Sequence, residues 1–430
     1  MTQSQAEWSA RIERWREQTL LMLVLAGAFA IPLVFVRDPI DMFRLPKALF
    51  LRAEAIMIVT ATIAAWILGA PLPRLKPRDP RLLTLLGVFG GLIVLTITST
   101  NRALSMESLA TAAATAIVFF ATVSAARRHG PILLAVSLVA ATANAVLAVL
   151  EETDIWMPFG VQSTLPHHLQ STALAGNPNE IGGYLGAATL ACIAAISMRR
   201  SRWFLACAAP LALALVASQT LTALIAFPVA CIAMIAVTSW KKAITAAAAA
   251  VAIGVVAFTL IAPLRERAVN IERWLRAGEY NTIFTERLTA FVAAWSMFTD
   301  HPVTGVGPGA FAWQYYDYKI RAEERFPSLR NAYNRGVNFG EVHNDHLQVL
   351  AETGIGGYGV CLALLAALAS ISFRRTRDGP ESRLLFGQRL AFPLAVFWFV
   401  LSLAQFPLET TIVRSMLFHL SALCVGWRST

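Results

Sequence analysis

Residues 111–150, TAAATAIVFFATVSAARRHGPILLAVSLVAATANAVLAVL, decide the fold class. They hold two apolar runs, near 109–126 and 131–150, parted by a short basic turn at 127–130 that carries Arg127, Arg128 and His129. A helix rising 1.5 Å per residue needs about 20 apolar residues to cross about 30 Å of hydrocarbon. Each run comes close to that length, and the turn between them has the composition of a cytoplasmic loop under the positive-inside rule. Two membrane crossings joined on the inside are expected.

The same pattern extends along the chain. With 430 residues, 57% hydrophobic and only 14% charged, and a mean hydropathy of +0.58, ordinary soluble domains are excluded. Runs of crossing length recur about twelve times, near 18–36, 48–69, 82–99, 109–126, 131–150, 179–198, 203–218, 220–239, 243–262, 347–373, 388–406 and 409–427. The runs at 203–218 and 220–239 are joined by almost no loop, which suits a pair of short helices or a re-entrant arrangement. With a cytoplasmic N-terminus, the inside loops are 71–81, 127–130, 198–202, 240–242 and 373–388, and they hold nearly all the basic clusters. The net charge of +10 therefore reports topology and not a nucleic-acid partner. Two longer polar segments, 151–179 and 263–345, fall outside, so chemistry is expected on that side.

The remaining composition is quieter. Cys192, Cys207, Cys231, Cys361 and Cys424 all stand in apolar runs without paired spacing, which supports neither a disulfide framework nor a thiolate metal site. A polar stretch precedes the first apolar run and no small-residue cleavage site follows it, so no cleavable leader is expected. Within that stretch Trp8, Ile12 and Trp15 recur at helical spacing opposite Arg11, Arg14 and Arg16, the pattern of a helix lying on the membrane surface. The expected organisation is nine helices over 1–262, a large outer loop over 263–346, and three helices over 347–430.

Titratable, aromatic and glycine residues concentrate between 285 and 357. In TERLTAFVAAWSMF (285–298), Leu288, Phe291, Val292, Trp295 and Phe298 predict an amphipathic helix with Arg287 at its N-terminal end. DHPVTGVGPGAF (300–311) follows, and its prolines with Gly305, Gly307 and Gly309 predict a rigid turn; no strand precedes it, as a nucleotide loop would need. Tyr315, Tyr316 and Tyr318 then suit either the lipid interface or contact with a sugar. Finally EVHNDHLQVLAETGIGGYG (341–359) brings His343, Asp345, His346 and Glu352 together in one short span. A histidine neutral near pH 7 can take a proton from an attacking hydroxyl, and His343 is the candidate base. A metal reading would use the two histidines and Asp345, but HExxH spacing is absent and none is expected.

These last motifs resemble the O-antigen ligases and related polymerases, integral-membrane glycosyltransferases of bacterial surface-polysaccharide pathways. ERLTAFVAAWSMFTDHPVTGVGPGAF (286–311) is similar to that family's arginine, amphipathic helix and P-x-x-G-x-G turn, and HNDHLQVLAETGIGG (343–357) to its histidine motif. GNPNEIGGYL (176–185) and DMFRLPKALF (41–50) add weaker matches. The resemblance implies an all-α, GT-C-like bundle of about a dozen transmembrane helices with one large periplasmic loop. It implies a multi-pass protein of the bacterial inner membrane, surrounded by membrane lipids, whose active site faces the periplasm. It also implies metal-independent glycan transfer from an undecaprenyl-diphosphate-linked donor to an acceptor glycan or lipid A core, with no cofactor. His343 would be the catalytic base and Arg287 a diphosphate ligand, with Asp345, His346 and Glu352 in support.

The chain departs from the family in one place. Many ligases carry a Ser-Arg pair near residue 218, where this chain reads ASQTLTALIAF (217–227). Arg414, Lys47 and Arg52 are the candidates to replace the missing arginine, because each cation lies on a predicted helix near its outer end and is costly there unless partnered. The reading is an O-antigen ligase, with a repeat-unit polymerase as the alternative within the family. A solute transporter is the alternative outside it, opposed by few mid-helix carboxylates and no paired broken helices.

Overall fold

The computed structural model describes residues 3–37, 41–71, 80–156, 158, 171–198, 203–260, 262–330, 338–374 and 385–427. Its regular structure is helical, with no strand among the described residues. In chain order the helices are α1 (Gln3–Ala30), α2 (Arg44–Ile67), α3 (Pro80–Thr98), α4 (Arg102–Glu152), α5 (Pro178–Ser197), α6 (Trp203–Ala217), α7 (Leu221–Thr238) and α8 (Trp240–Leu260). They continue with α9 (Ala262–Ala277), α10 (Tyr280–Ile283), α11 (Leu288–Asp300), α12 (Phe311–Arg325), α13 (Asp345–Ser370), α14 (Phe386–Leu401) and α15 (Thr411–Gly426).

Each apolar run expected from the sequence falls on one of these helices. Among the described residues, six stretches are long and apolar enough to cross a membrane: α2, α4, α5, α7, α8 and Asp345–Phe373. Leu86–Thr98, Trp203–Ala217, Phe386–Leu401 and Thr411–Gly426 are apolar but shorter. The runs on either side of 127–130 both lie in α4, which spans 51 residues and is interrupted at His129 (φ −120°, ψ 19°). Pro131 follows that break and has no amide hydrogen to donate across it. The runs around residue 219 are two separate helices, joined through Gln219 at φ +49°. Most of the basic loops expected at 71–81, 198–202 and 373–388, and much of the polar segment 151–179, lie outside the described residues.

The bundle is centred on α5. Its sequence PNEIGGYLGAATLACIAAIS is rich in small residues, and the positions from Glu180 to Cys192 are all buried. A Cβ at Gly182 would run into Thr220, and one at Gly186 into Phe397 of α14. Lipid tails are as apolar as leucine, so close backbone approach and dispersion drive packing here, and small residues permit both. Leu133, Leu134 and Leu138 of α4, Leu211 of α6, Leu390 and Leu394 of α14, and Leu417 and Leu420 of α15 complete this core.

The polar segment after α8 builds a second core of its own. Ala290, Ala293, Ala294 and Met297 of α11 pack with Phe311, Tyr315 and Tyr318 of α12, and with Val306, Val342 and Ala351. Helix α11 begins after Arg287, as its spacing predicts. Helices α9 and α10 are not legible in the apolar pattern, because α9 is short and carries Arg265, Glu266, Glu272, Arg273 and Arg276 among its apolar residues.

Candidate active site

The glycine-rich turn is locked into a break in α13. At Gly354, α13 leaves helical geometry (φ +65°, ψ −169°). Val306 N donates to Ala351 O (2.9 Å), Gly307 N to Glu352 O (3.0 Å), and Ile355 N returns a bond to Pro302 O (2.9 Å). Gly305 has φ +62°, and a Cβ there would strike the Glu352 backbone, so this approach needs glycine. The Glu352 carboxyl group then accepts from Gly309 N (2.8 Å) and Phe311 N (3.3 Å) and so caps the N-terminus of α12. Glu352 thus fixes the turn to α13.

The segment before α13 is held as firmly. Asn344 caps the helix by accepting from Leu347 N (3.0 Å), and its amide donates to Leu403 O (2.8 Å). Asp345 N donates to the carbonyls of Ser402 and Gln405, and the Asp345 carboxylate accepts from Leu408 N (2.9 Å). Asp345 therefore ties α13 to the loop between α14 and α15. His346 Nε2 donates to Phe399 O (3.0 Å) of α14 and its Nδ1 accepts from Tyr358 OH (3.2 Å) within α13, so both ring nitrogens are engaged. His343, Asp345 and His346 have different surroundings and do not converge as a metal site.

His343 stands alone among these residues. Its backbone is left-handed (φ +60°), a conformation a non-glycine residue holds only where the surroundings enforce it. The half-buried ring packs edge-to-face against Phe406 (centroids 4.6 Å apart) and Phe339 (5.8 Å). Its Nδ1 has no hydrogen-bond partner among the described residues. Burial, followed by the positive charges of Arg287 and Arg44, depresses its pKa to about 3, so the imidazole is neutral at ordinary pH.

Arg287 precedes the first turn of α11 and is set by a tight loop. Asn281 accepts from Leu288 N (3.1 Å) and donates to Glu286 (2.8 Å), whose backbone is left-handed at φ +63°. Arg44 opens α2. It spans Glu180 (2.7 Å) and Glu341 (2.8 Å), and its guanidinium lies over the Phe406 ring at 5.4 Å. Arg44, His343 and Phe406 are therefore contiguous, and Arg287 is near enough for its charge to act on the same imidazole.

The three cations favoured from sequence are placed differently. Lys47 is 1% exposed, with its ammonium donating to the carbonyls of Val34 (2.7 Å) and Phe43 (3.2 Å). Arg52 pairs with Glu107 (3.1 Å) and Thr111 (2.7 Å). Arg414 donates to Leu408 O (2.6 Å) and Thr411 Oγ1 (3.3 Å), bracing the α14–α15 loop from inside. Tyr315 and Tyr318 belong to the second core, Tyr318 bonding Asp300 (3.0 Å), and of the three tyrosines only Tyr316 is exposed. Phe311, Tyr315, Tyr318 and Ala322 form the buried face of α12, leaving Trp313, Tyr316 and Ile320 on the other. Sequence reading passed over Arg44, Phe406, Glu180 and Glu341. The available signals were an arginine one turn before Lys47 at the start of an apolar run and a lone acid opening the apolar α5.

Residues 205–362 match the family model described as O-Antigen ligase. This stretch is similar to an O-antigen ligase domain. The matched region runs from α6 into α13 and so takes in Arg287, the glycine turn, His343 and Glu352; Arg44 and the α14–α15 loop lie outside it. The likeness covers less than half of the chain and lies on a multi-pass membrane scaffold. No curated protein matches the chain.

Proposed function

We propose that this protein moves a glycan from undecaprenyl diphosphate to an acceptor hydroxyl on lipid A core, at the periplasmic face of the bacterial inner membrane. The observation that carries the reading is a neutral, strained His343 beside two guanidinium groups, Arg287 and Arg44, at the junction of the bundle and the polar segment. The acceptor hydroxyl gives its proton to His343 as its oxygen bonds to the anomeric carbon of the donor sugar. The bond from that carbon to the diphosphate oxygen breaks, and the leaving group takes the electron pair. Arg287 and Arg44 meet the charge that develops there, as guanidinium groups do without titrating. No step uses a metal.

The electrostatics make base strength depend on the donor. Two positive charges weaken His343 as a base, and the arriving diphosphate offsets them, so the imidazole gains basicity when the leaving group is in place. Arg44 takes the part of the second diphosphate cation that the missing Ser-Arg pair leaves open, with Arg414 acting through the α14–α15 loop.

A deletion strain tests the assignment. Uncapped lipid A core, with full-length polymer retained on its lipid carrier, is the expected phenotype. Single repeats on the core would instead give a polymerase acting on the growing chain, and an unchanged glycan profile would remove both.

A further inference from the structure

Deeper in the bundle, α1, α2, α4, α5 and α15 line a partly open cavity of about 40 Å³, counted as space open to the centre of a water molecule. At roughly 10–15 Å³ of such space per water, it has room for about three. Glu54 of α2, Tyr184 of α5 and Ser415 of α15 line it. Both Glu54 carboxylate oxygens, the Tyr184 hydroxyl and the Ser415 hydroxyl are buried without a hydrogen-bond partner among the described residues. Glu54 and Tyr184 are each 1% exposed. A Cβ at Gly27 of α1 would collide with the Glu54 carboxylate, so the glycine leaves room for that group.

The rest of the wall is rich in acceptors. Thr115, Thr122 and Ser137 of α4 line the cavity while donating their hydroxyl protons to the carbonyls of Thr111, Val118 and Leu133. What they have left to offer is lone pairs. The other titratable groups in the lining are Tyr184 and His419, whose Nε2 lies 3.0 Å from Ser137 Oγ; α1 and α4 contribute none. Higher on the same helices, Lys47 and Arg414 donate to other acceptors. The cavity therefore presents one carboxyl and several neutral oxygens at membrane depth, where an ionised carboxylate is costly without a counter-charge. A divalent ion draws on several carboxylates, and this wall has one.

We propose that this cavity binds one monovalent cation, a proton or a sodium ion, on Glu54. The ligand set is matched in charge to either, because a single positive charge neutralises the carboxyl and the hydroxyl oxygens complete the shell. The site is separate from the transfer chemistry, although it shares α2, α5 and α15 with the frame that carries Arg44, Glu180 and the α14–α15 loop.

Thermal unfolding of the full-length protein in lipid nanodiscs tests this. Wild type and Glu54→Gln, which keeps the shape and removes the charge, are compared across sodium concentrations against choline at fixed ionic strength, and across pH in choline alone. The quantity read is the difference in Tm between the two proteins, which cancels titrations elsewhere. A sodium ion is the ligand if wild-type Tm rises with sodium and that of Glu54→Gln does not. A proton is the ligand if only the pH series separates them, with wild type losing Tm as pH rises. Identical responses of the two proteins in both series overturn the proposal. Should Glu54→Gln fail to insert, Tyr184→Phe combined with Ser415→Ala is expected to move the midpoint of the wild-type sodium response toward higher sodium, or that of the pH response toward higher pH, and an unmoved midpoint overturns the proposal equally.

Discussion

Replacing Arg44 by alanine separates its structural part from its proposed chemical one. The guanidinium makes contacts of 2.7 and 2.8 Å to Glu180 and Glu341, and Glu180 is only 3% exposed. Breaking a fully buried ion pair costs about 3–5 kcal/mol, chiefly through the charge left behind. Arg44 is itself 37% exposed, so solvent screens the pair and a loss of about 1–3 kcal/mol is the appropriate expectation. The catalytic loss is larger in effect. Removing one donor from a developing negative charge typically lowers the rate by about 10²–10³. Arg44→Ala is therefore expected to insert with modestly reduced thermal stability and to transfer glycan about a hundredfold or more slowly at saturating donor. Arg44→Lys should recover part of the rate, because an ammonium keeps the charge without the fork that reaches two partners. The double variant Arg44→Ala with Glu180→Gln removes the stranded carboxylate, so it should regain stability while staying slow. The assay is transfer from the lipid-linked donor by purified protein in proteoliposomes, run across donor concentrations beside a melting curve. A wild-type rate in Arg44→Ala, or recovery of rate along with stability in the double variant, would refute the assignment.

Three further outcomes are expected. Glu352→Ala strips the acceptor from Gly309 N and Phe311 N and should loosen the turn by about 2–4 kcal/mol, seen as faster amide exchange in α11 and α12 and lower activity, with Glu352→Gln milder. The kcat/KM profile should show no acid limb near the ordinary histidine value of 6.5, because the free site holds His343 near 3; Arg44→Ala removes one of the charges that lower it, so any limb moves upward. The same depression means the unfolded chain binds a proton that folded His343 does not between pH 6.5 and about 3, so stability contributed by this group is lost on acidification through that window. A cysteine at Ser328 should react with an impermeant thiol reagent in spheroplasts and one at Ser382 only after permeabilisation, and labelling of both from one side would overturn the topology.

Local pattern carried the helices well, whereas the break at Gly354 was not expected from sequence. Apolar runs of crossing length and the spacing of Leu288, Phe291, Val292, Trp295 and Phe298 are properties of neighbouring residues, so both were legible. Pro131, His129 and Gly354 break α4 and α13 for reasons that belong to backbone geometry. The cation site was harder, because it is assembled from distant positions: Arg44 meets Glu180 across 136 residues and Glu341 across 297. Lys47 looks similar in sequence, yet a one-turn offset along α2 directs it to backbone carbonyls. The fates of Tyr315 and Tyr316 differ by a 100° rotation about α12, a distinction the spacing of Phe311, Tyr315, Tyr318 and Ala322 contained once that helix was recognised.

In the proposed transfer from a polyprenyl diphosphate, proton removal by His343 is the step on which product formation depends. Its most direct test is transfer by purified His343→Ala, His346→Ala and wild type in proteoliposomes, with polyprenyl-diphosphate-linked glycan and lipid A core supplied, and donor binding measured in parallel. His343→Ala is expected to bind donor and form no product, whereas His346→Ala, altered only at the α13–α14 contact, keeps substantial activity. Product formation by His343→Ala at the wild-type rate would contradict the account.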